Sequence, residues 1–106
     1  MRDKTTVERM LYWAKKIEKY TEGKSPNELK ENDMLAEACV FSLSQIGELS
    51  NKISKRFAER NPDIPWRALY GLRNKIVHEY DGLEETLIGE IIFEDIPRVK
   101  KALENL

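Results

Sequence analysis

The residues of this chain that could do chemistry crowd into one segment, Arg73-Asn74-Lys75-Ile76-Val77-His78-Glu79-Tyr80. His78 is the only histidine. An imidazole titrates near neutral pH and passes protons in both directions. An arginine holds a phosphate with forked N–H donors. An amide such as Asn74 orients an imidazole or a scissile group. Together Arg73, Asn74 and His78 supply what transesterification of RNA needs: a base for the 2′-hydroxyl, an acid for the leaving oxygen and a cation for the phosphorane. The bland alternative for His78 is a surface residue at a helix end, where the dipole favours a cation. Acid and base are hard to combine in one imidazole within one step. A two-fold dimer that faces this segment against its copy brings two His78 and two Arg73 into one cleft.

An α-helix turns ~100° per residue. On a helix from Trp66 to about Tyr80, Arg67, Gly71, Asn74 and His78 fall on one face. Leu69, Leu72, Ile76 and Val77 form the apolar face, and Arg73 and Tyr80 share a flank. Gly71 removes bulk beside His78, where a substrate or a second backbone could approach. Trp66, Tyr70 and Phe57 could stack bases, but for Trp66 core packing is the better reading. Lys52, Lys55, Arg56 and Arg60 end a long helix. They either favour its C-terminus or guide RNA, and Arg67 is a further RNA-contact candidate. One His and one Cys make poor zinc ligands. The carboxylates Glu79, Asp81, Glu84 and Glu85 read as a solvated turn, and no phosphate loop has the required spacing. No metal and no cofactor is expected.

Positioning those residues falls to an all-α fold. The 106 residues suffice for one domain, 1–106, and a domain this small often gains stability by pairing with a copy. With 41% hydrophobic and 35% charged residues it is a globular composition, and 5 Gly and 4 Pro leave few turns for an all-β domain. A net charge of −1 excludes a global polyelectrolyte field, so nucleic-acid contact requires a local basic patch. Cys39 is a lone thiol with no disulfide partner, which fits the cytoplasm. Met1-Arg2-Asp3-Lys4 opens a charged amphipathic segment rather than a signal peptide, and no apolar run reaches the ~20 residues that span a membrane. The periodicity predicts about five helices in an up-and-down bundle. The first runs from about Thr6 to Tyr20, with Thr5 and Glu8 at capping-box spacing. Ser25-Pro26-Asn27-Glu28 starts a short turn. A long helix follows from about Asn32 to Glu59, apolar nearly all round between Met34 and Leu49. The rest are the Trp66 helix, Glu84 to Glu94 and Ile96 to Asn105.

Arg73-x4-His78-x-Tyr80 resembles the signature of the HepT-like toxins of the HEPN superfamily. Ile46-Gly47-Glu48-Leu49, Pro62-Asp63-Ile64-Pro65-Trp66-Arg67 and Leu72-Arg73-Asn74 resemble that family's framework in order and spacing, over residues 34–100. The resemblance implies a homodimeric helical bundle that cleaves RNA without a metal in a cleft between paired motifs. It implies Arg73 and His78 as catalytic residues, with Asn74 as the polar residue that follows the arginine. It also implies a nucleotidyltransferase antitoxin of the MNT type that transfers AMP from ATP to Tyr80. Adding bulk and negative charge near Arg73 would repel RNA. A reading from another class is a non-catalytic helical subunit that binds nucleotide or substrate within a nucleotidyltransferase complex.

Overall fold

The computed structural model describes residues 2–106, which hold helices and no strand. The elements in order are α1 (Arg2–Thr21), α2 (Pro26–Glu31), α3 (Asp33–Ser50), α4 (Lys55–Arg60), α5 (Trp66–Glu79), α6 (Glu85–Glu90) and α7 (Ile96–Glu104). A 3₁₀ turn, Tyr80–Gly82, follows α5, and a π-helical turn, Ile91–Asp95, fuses α6 to α7. The predicted five helices are therefore four long rods, the last of them composite, joined in part by the short helices α2 and α4. α3 is the centre, packed on α1 and on α5, while α7 closes against α1. Gly47 and Ser50 of α3 meet Arg73 and Trp66 of α5, so these two helices run antiparallel. The core is aliphatic. Met10, Ile17, Leu43, Ile46, Ile92 and Leu103 are fully enclosed, each burial stabilising by roughly 1.5–3 kcal/mol.

Local chemistry sets most boundaries. The Ser25 hydroxyl accepts the Glu28 N–H at 3.3 Å, with Pro26 in the first helical position. Asn32 Oδ1 accepts the Leu35 N–H at 3.0 Å and so starts α3. Pro97 explains the π turn. A proline ring clashes with the carbonyl four residues back, and the wider turn, in which the Ile96 N–H reaches the Ile91 carbonyl, makes room.

Three expectations need correction. The first helix begins at Arg2, so Thr5 lies inside it and is not its cap. The helix predicted from Asn32 to Glu59 breaks after Ser50. Lys52 N–H turns back to the Leu49 carbonyl at 2.9 Å, and the Ser54 hydroxyl caps α4 by accepting the Phe57 N–H at 3.2 Å. Asp3 ties the break down, its carboxylate accepting the Ser54 N–H at 2.9 Å and the Ser54 hydroxyl at 2.7 Å. Finally, the apolar girth of α3, which predicts a central helix covered in part by another subunit, is not covered all round by the described residues of one chain. Met34 is 84% exposed and Phe41 56%, on an outer stripe that continues through Gln45 and Glu48.

Candidate active site

The site is built from the close approach of α3 to α5. Gly47 faces α5 directly: a Cβ there would stand 2.5 Å from Arg73 Cβ and overlap the Leu69 carbonyl oxygen. Only hydrogen allows the two backbones this near. The Ser50 hydroxyl, buried one turn on, lies 2.7 Å from the Gly47 carbonyl and 3.1 Å from that of Trp66. The start of α5 is fixed separately. Trp66 is buried, donates its indole N–H to the Asn61 carbonyl at 3.0 Å and meets Phe57 edge-on, with ring centroids 6.2 Å apart. Trp66 is thus a core residue, as its packing reading anticipated.

This approach places Glu48 against Arg73. Arg73 Nε lies 3.0 Å from Glu48 Oε2, an ion pair without hydrogen-bond alignment at an oxygen closed off from solvent. Arg73 Nη1 donates to Asn74 Oδ1 at 2.9 Å. The guanidinium carbon stands 5.9 Å from the Tyr70 ring centroid. Three neighbours therefore orient one cation. Of its five N–H groups, the two on Nη2 and one on Nη1 have no hydrogen-bond partner among the described residues. Asn74 spends its amide oxygen on Arg73 and makes no hydrogen bond to His78 among the described residues.

His78 is exposed, near the end of α5 and away from the buried Leu69 and Ile76. Val77, assigned by periodicity to the apolar face, is 53% exposed.

Tyr80 lies just past α5, in the 3₁₀ turn, where its surroundings differ from those of Arg73. It lines a pocket of about 230 Å³ with Leu29, Asp33, Glu37, Asp81 and Ile88. Arg73 is not part of that pocket, because the chain tightens after Glu79 and Tyr80 swings toward the start of α3. Partial desolvation, then the carboxylates of Glu37, Asp33 and Asp81, raise the Tyr80 pKa above its ordinary value. The phenol is protonated at neutral pH.

The basic candidates are spread over three segments. Lys52 follows α3, whereas Lys55 and Arg56 occupy the first turn of α4, where a helix dipole does not favour cations. Arg67 is exposed on α5. The described residues contain no cluster of three or more His, Cys, Asp or Glu able to hold a metal. None of the helices is long and apolar enough to cross a membrane. Glu48 is the residue whose part was not legible beforehand. It stood in the Ile46-Gly47-Glu48 triplet, but nothing in the triplet said which helix it would face.

The family pattern described as "Ribonuclease HepT-like" matches residues 10–106. The chain belongs to the HepT-like family. Relatives include a Methanocaldococcus jannaschii protein named "Putative RNase MJ1380", 36% identical over 95 residues, 90% of this chain and 87% of that one. A Caldanaerobacter subterraneus protein, "Putative RNase TTE0752", is 30% identical over 100 residues, 94% of this chain and 89% of its own. The "Probable ribonuclease HepT" of Thermococcus cleftensis is 36% identical over 69 residues, 65% of this chain and 63% of that protein. No solved structure matches the chain. In this HepT-like chain the matched span includes Arg73, His78 and Tyr80.

Proposed function

We propose that this HepT-like chain is the endoribonuclease toxin of a toxin–antitoxin pair. It cleaves RNA without a metal in a cleft between two copies, and a nucleotidyltransferase antitoxin silences it by adenylylating Tyr80. The observation that carries the reading is the preset Arg73 cation, held by Glu48, Asn74 and Tyr70 with donors to spare, on the same helix as an exposed His78. The relatives named as ribonucleases support the substrate class. In the reaction, one His78 takes the proton of a ribose 2′-hydroxyl. The freed oxygen attacks the adjacent phosphorus, and the bond to the 5′-oxygen breaks. That oxygen takes a proton from the His78 of the second copy, while Arg73 balances the charge that builds on the phosphorane.

The second copy is supported by the exposed apolar side chains Met34 and Phe41 of α3 and Val77 of α5. A two-fold axis beside them would bury them and bring the two motifs together. Silencing joins the Tyr80 phenolic oxygen to the α-phosphorus of ATP with loss of pyrophosphate. The raised Tyr80 pKa requires the transferase to supply the base that takes the phenolic proton. The added nucleotide brings bulk and negative charge to the His78 end of α5.

The test is to express the chain alone and with a cognate nucleotidyltransferase, and to assay RNA cleavage, native mass and intact mass. The parent should arrest growth and cleave RNA as a dimer. His78→Ala should stay dimeric and lose cleavage. The transferase should add AMP to the parent and not to Tyr80→Phe. A folded dimer that cleaves no cellular RNA would overturn the reading in favour of a nucleotide-binding subunit, and a fully active monomer would overturn the shared cleft.

A further inference from the structure

Beyond the motif, a second feature lies where α1 begins and α3 ends. Arg2, Thr5, Thr6, Arg9 and Lys52 line an open groove of about 760 Å³ where the start of α1 meets the end of α3. Arg2, Thr5, Thr6 and Arg9 stand at i, i+3, i+4 and i+7, so α1 presents them as one stripe. Lys52 completes the groove from α3. No carboxylate lines it, although the chain has 19 acidic residues and 18 basic ones. The acids next to the groove in sequence are Asp3 and Glu8; Asp3 feels the Arg2 charge but spends both carboxylate oxygens on Ser54. None of the ion pairs among the described residues involves Arg2, Arg9 or Lys52. Two cations near the N-terminus of α1 gain nothing from that helix's dipole, so their convergence has no account within the fold.

The groove adjoins the reactive arginine. Lys52 comes four residues after Glu48, in the turn that ends α3, where its N–H bonds to the Leu49 carbonyl. Glu48 in turn holds Arg73. Three cations that make no ion pair among the described residues, with a preset phosphate-binding arginine beyond Glu48, offer several positive charges to a polyanion such as a polynucleotide backbone rather than to a single small anion.

We propose that Arg2, Arg9 and Lys52 form a phosphodiester subsite that holds the RNA backbone next to the scissile bond bound by Arg73. The proposal rests on the ribonuclease reading and, of the candidates Lys52, Lys55, Arg56 and Arg67 suggested by sequence, keeps Lys52. The subsite reads charge and not base identity, so it weakens binding to all sequences alike when removed.

The test measures binding of a short unstructured RNA across a salt series, with His78→Ala as the background so that the RNA stays whole. Each phosphate contact on a single strand contributes about 0.7 to the slope of log K against log salt. Replacing Arg9 and Lys52 by Gln should flatten the slope by about 1.4 per groove occupied. Lys55→Gln with Arg56→Gln should leave the slope as it was. In the cleavage-competent chain, Arg9→Gln with Lys52→Gln should raise KM far more than it lowers kcat. An unchanged slope in that pair, or an equal loss in the Lys55/Arg56 pair, overturns the subsite while cleavage by the parent still stands. A parent that neither binds nor cleaves RNA overturns the ribonuclease reading and the subsite with it.

Discussion

Gly47→Ala is the sharpest probe of how this molecule holds its arginine. The added methyl would sit 2.5 Å from Arg73 Cβ and closer still to the Leu69 carbonyl oxygen. Ordinary carbon contact begins at about 3.5 Å, so α3 and α5 must part by about 1 Å. Neither obstacle is the loose end of a side chain, which places the overpacking cost near the upper end of its usual range, about 3 kcal/mol. Alanine returns about 1 kcal/mol through helix propensity. The net loss is about 2 kcal/mol, a fall in melting temperature of roughly 8–16 °C for a domain of this size. The separation also draws Arg73 away from Glu48, which orients it, and a 1 Å misplacement costs about a hundredfold in rate. Thermal unfolding followed by circular dichroism reads the first effect. Single-turnover RNA cleavage well below the melting point reads the second. Gly71→Ala is the control, because nothing stands within 4 Å of a Cβ there. It should stabilise by up to about 1 kcal/mol. A Gly47→Ala protein that melts at or above the parent would refute the close approach, and one that melts lower yet cleaves at full rate would refute its role in placing Arg73.

Glu48→Gln keeps the shape and removes the charge that fixes Arg73 Nε. The pair is partly solvent-screened, so stability should fall by about 1 kcal/mol or less, whereas kcat should drop about tenfold or more with KM little changed; an unaltered kcat would show that Asn74 and Tyr70 suffice. Asp3 accepts two hydrogen bonds from Ser54, led by the backbone N–H, and its pKa lies below the ordinary 3.8. Its contribution to stability is therefore complete above that value and disappears as pH falls through the lower folded-state pKa. Asp3→Asn should flatten the acid limb of the melting-temperature profile, and an identical acid limb in both proteins would count against the link between α1 and α4. Burial pushes the Cys39 thiol up to about 11, so native Cys39 should resist a thiol reagent at mildly alkaline pH and react only on unfolding; rapid labelling of the folded protein would contradict its place in the core.

How far the sequence reaches depends on the range of the interaction. Helix type, the α5 span, the Ser25 and Asn32 starts and the core role of Trp66 follow from local periodicity and side-chain capping, and these were readable. The family, too, could be read from Arg73, His78 and Tyr80 with the Ile64-Pro65-Trp66 segment. The break after Ser50 was not, because an apolar helical period ran on past it and the decisive Ser54 cap is reinforced by Asp3, 51 residues away in the chain. Val77 was misplaced for a related reason. Periodicity marks a residue as apolar, but only the position of α3 decides whether anything covers it.

The opening segment thus divides between the two sources of information. Sequence alone put Arg73, Asn74 and His78 on one helix, since spacing along a helix is fixed by covalent geometry and hydrogen bonding. Tertiary packing decided that Glu48 holds Arg73, that Tyr80 stands among Asp33, Glu37 and Asp81, and that Lys52 joins Arg2 and Arg9. Each of those meetings crosses from one helix to another. The first of them depends on a single glycine small enough to let α3 and α5 touch.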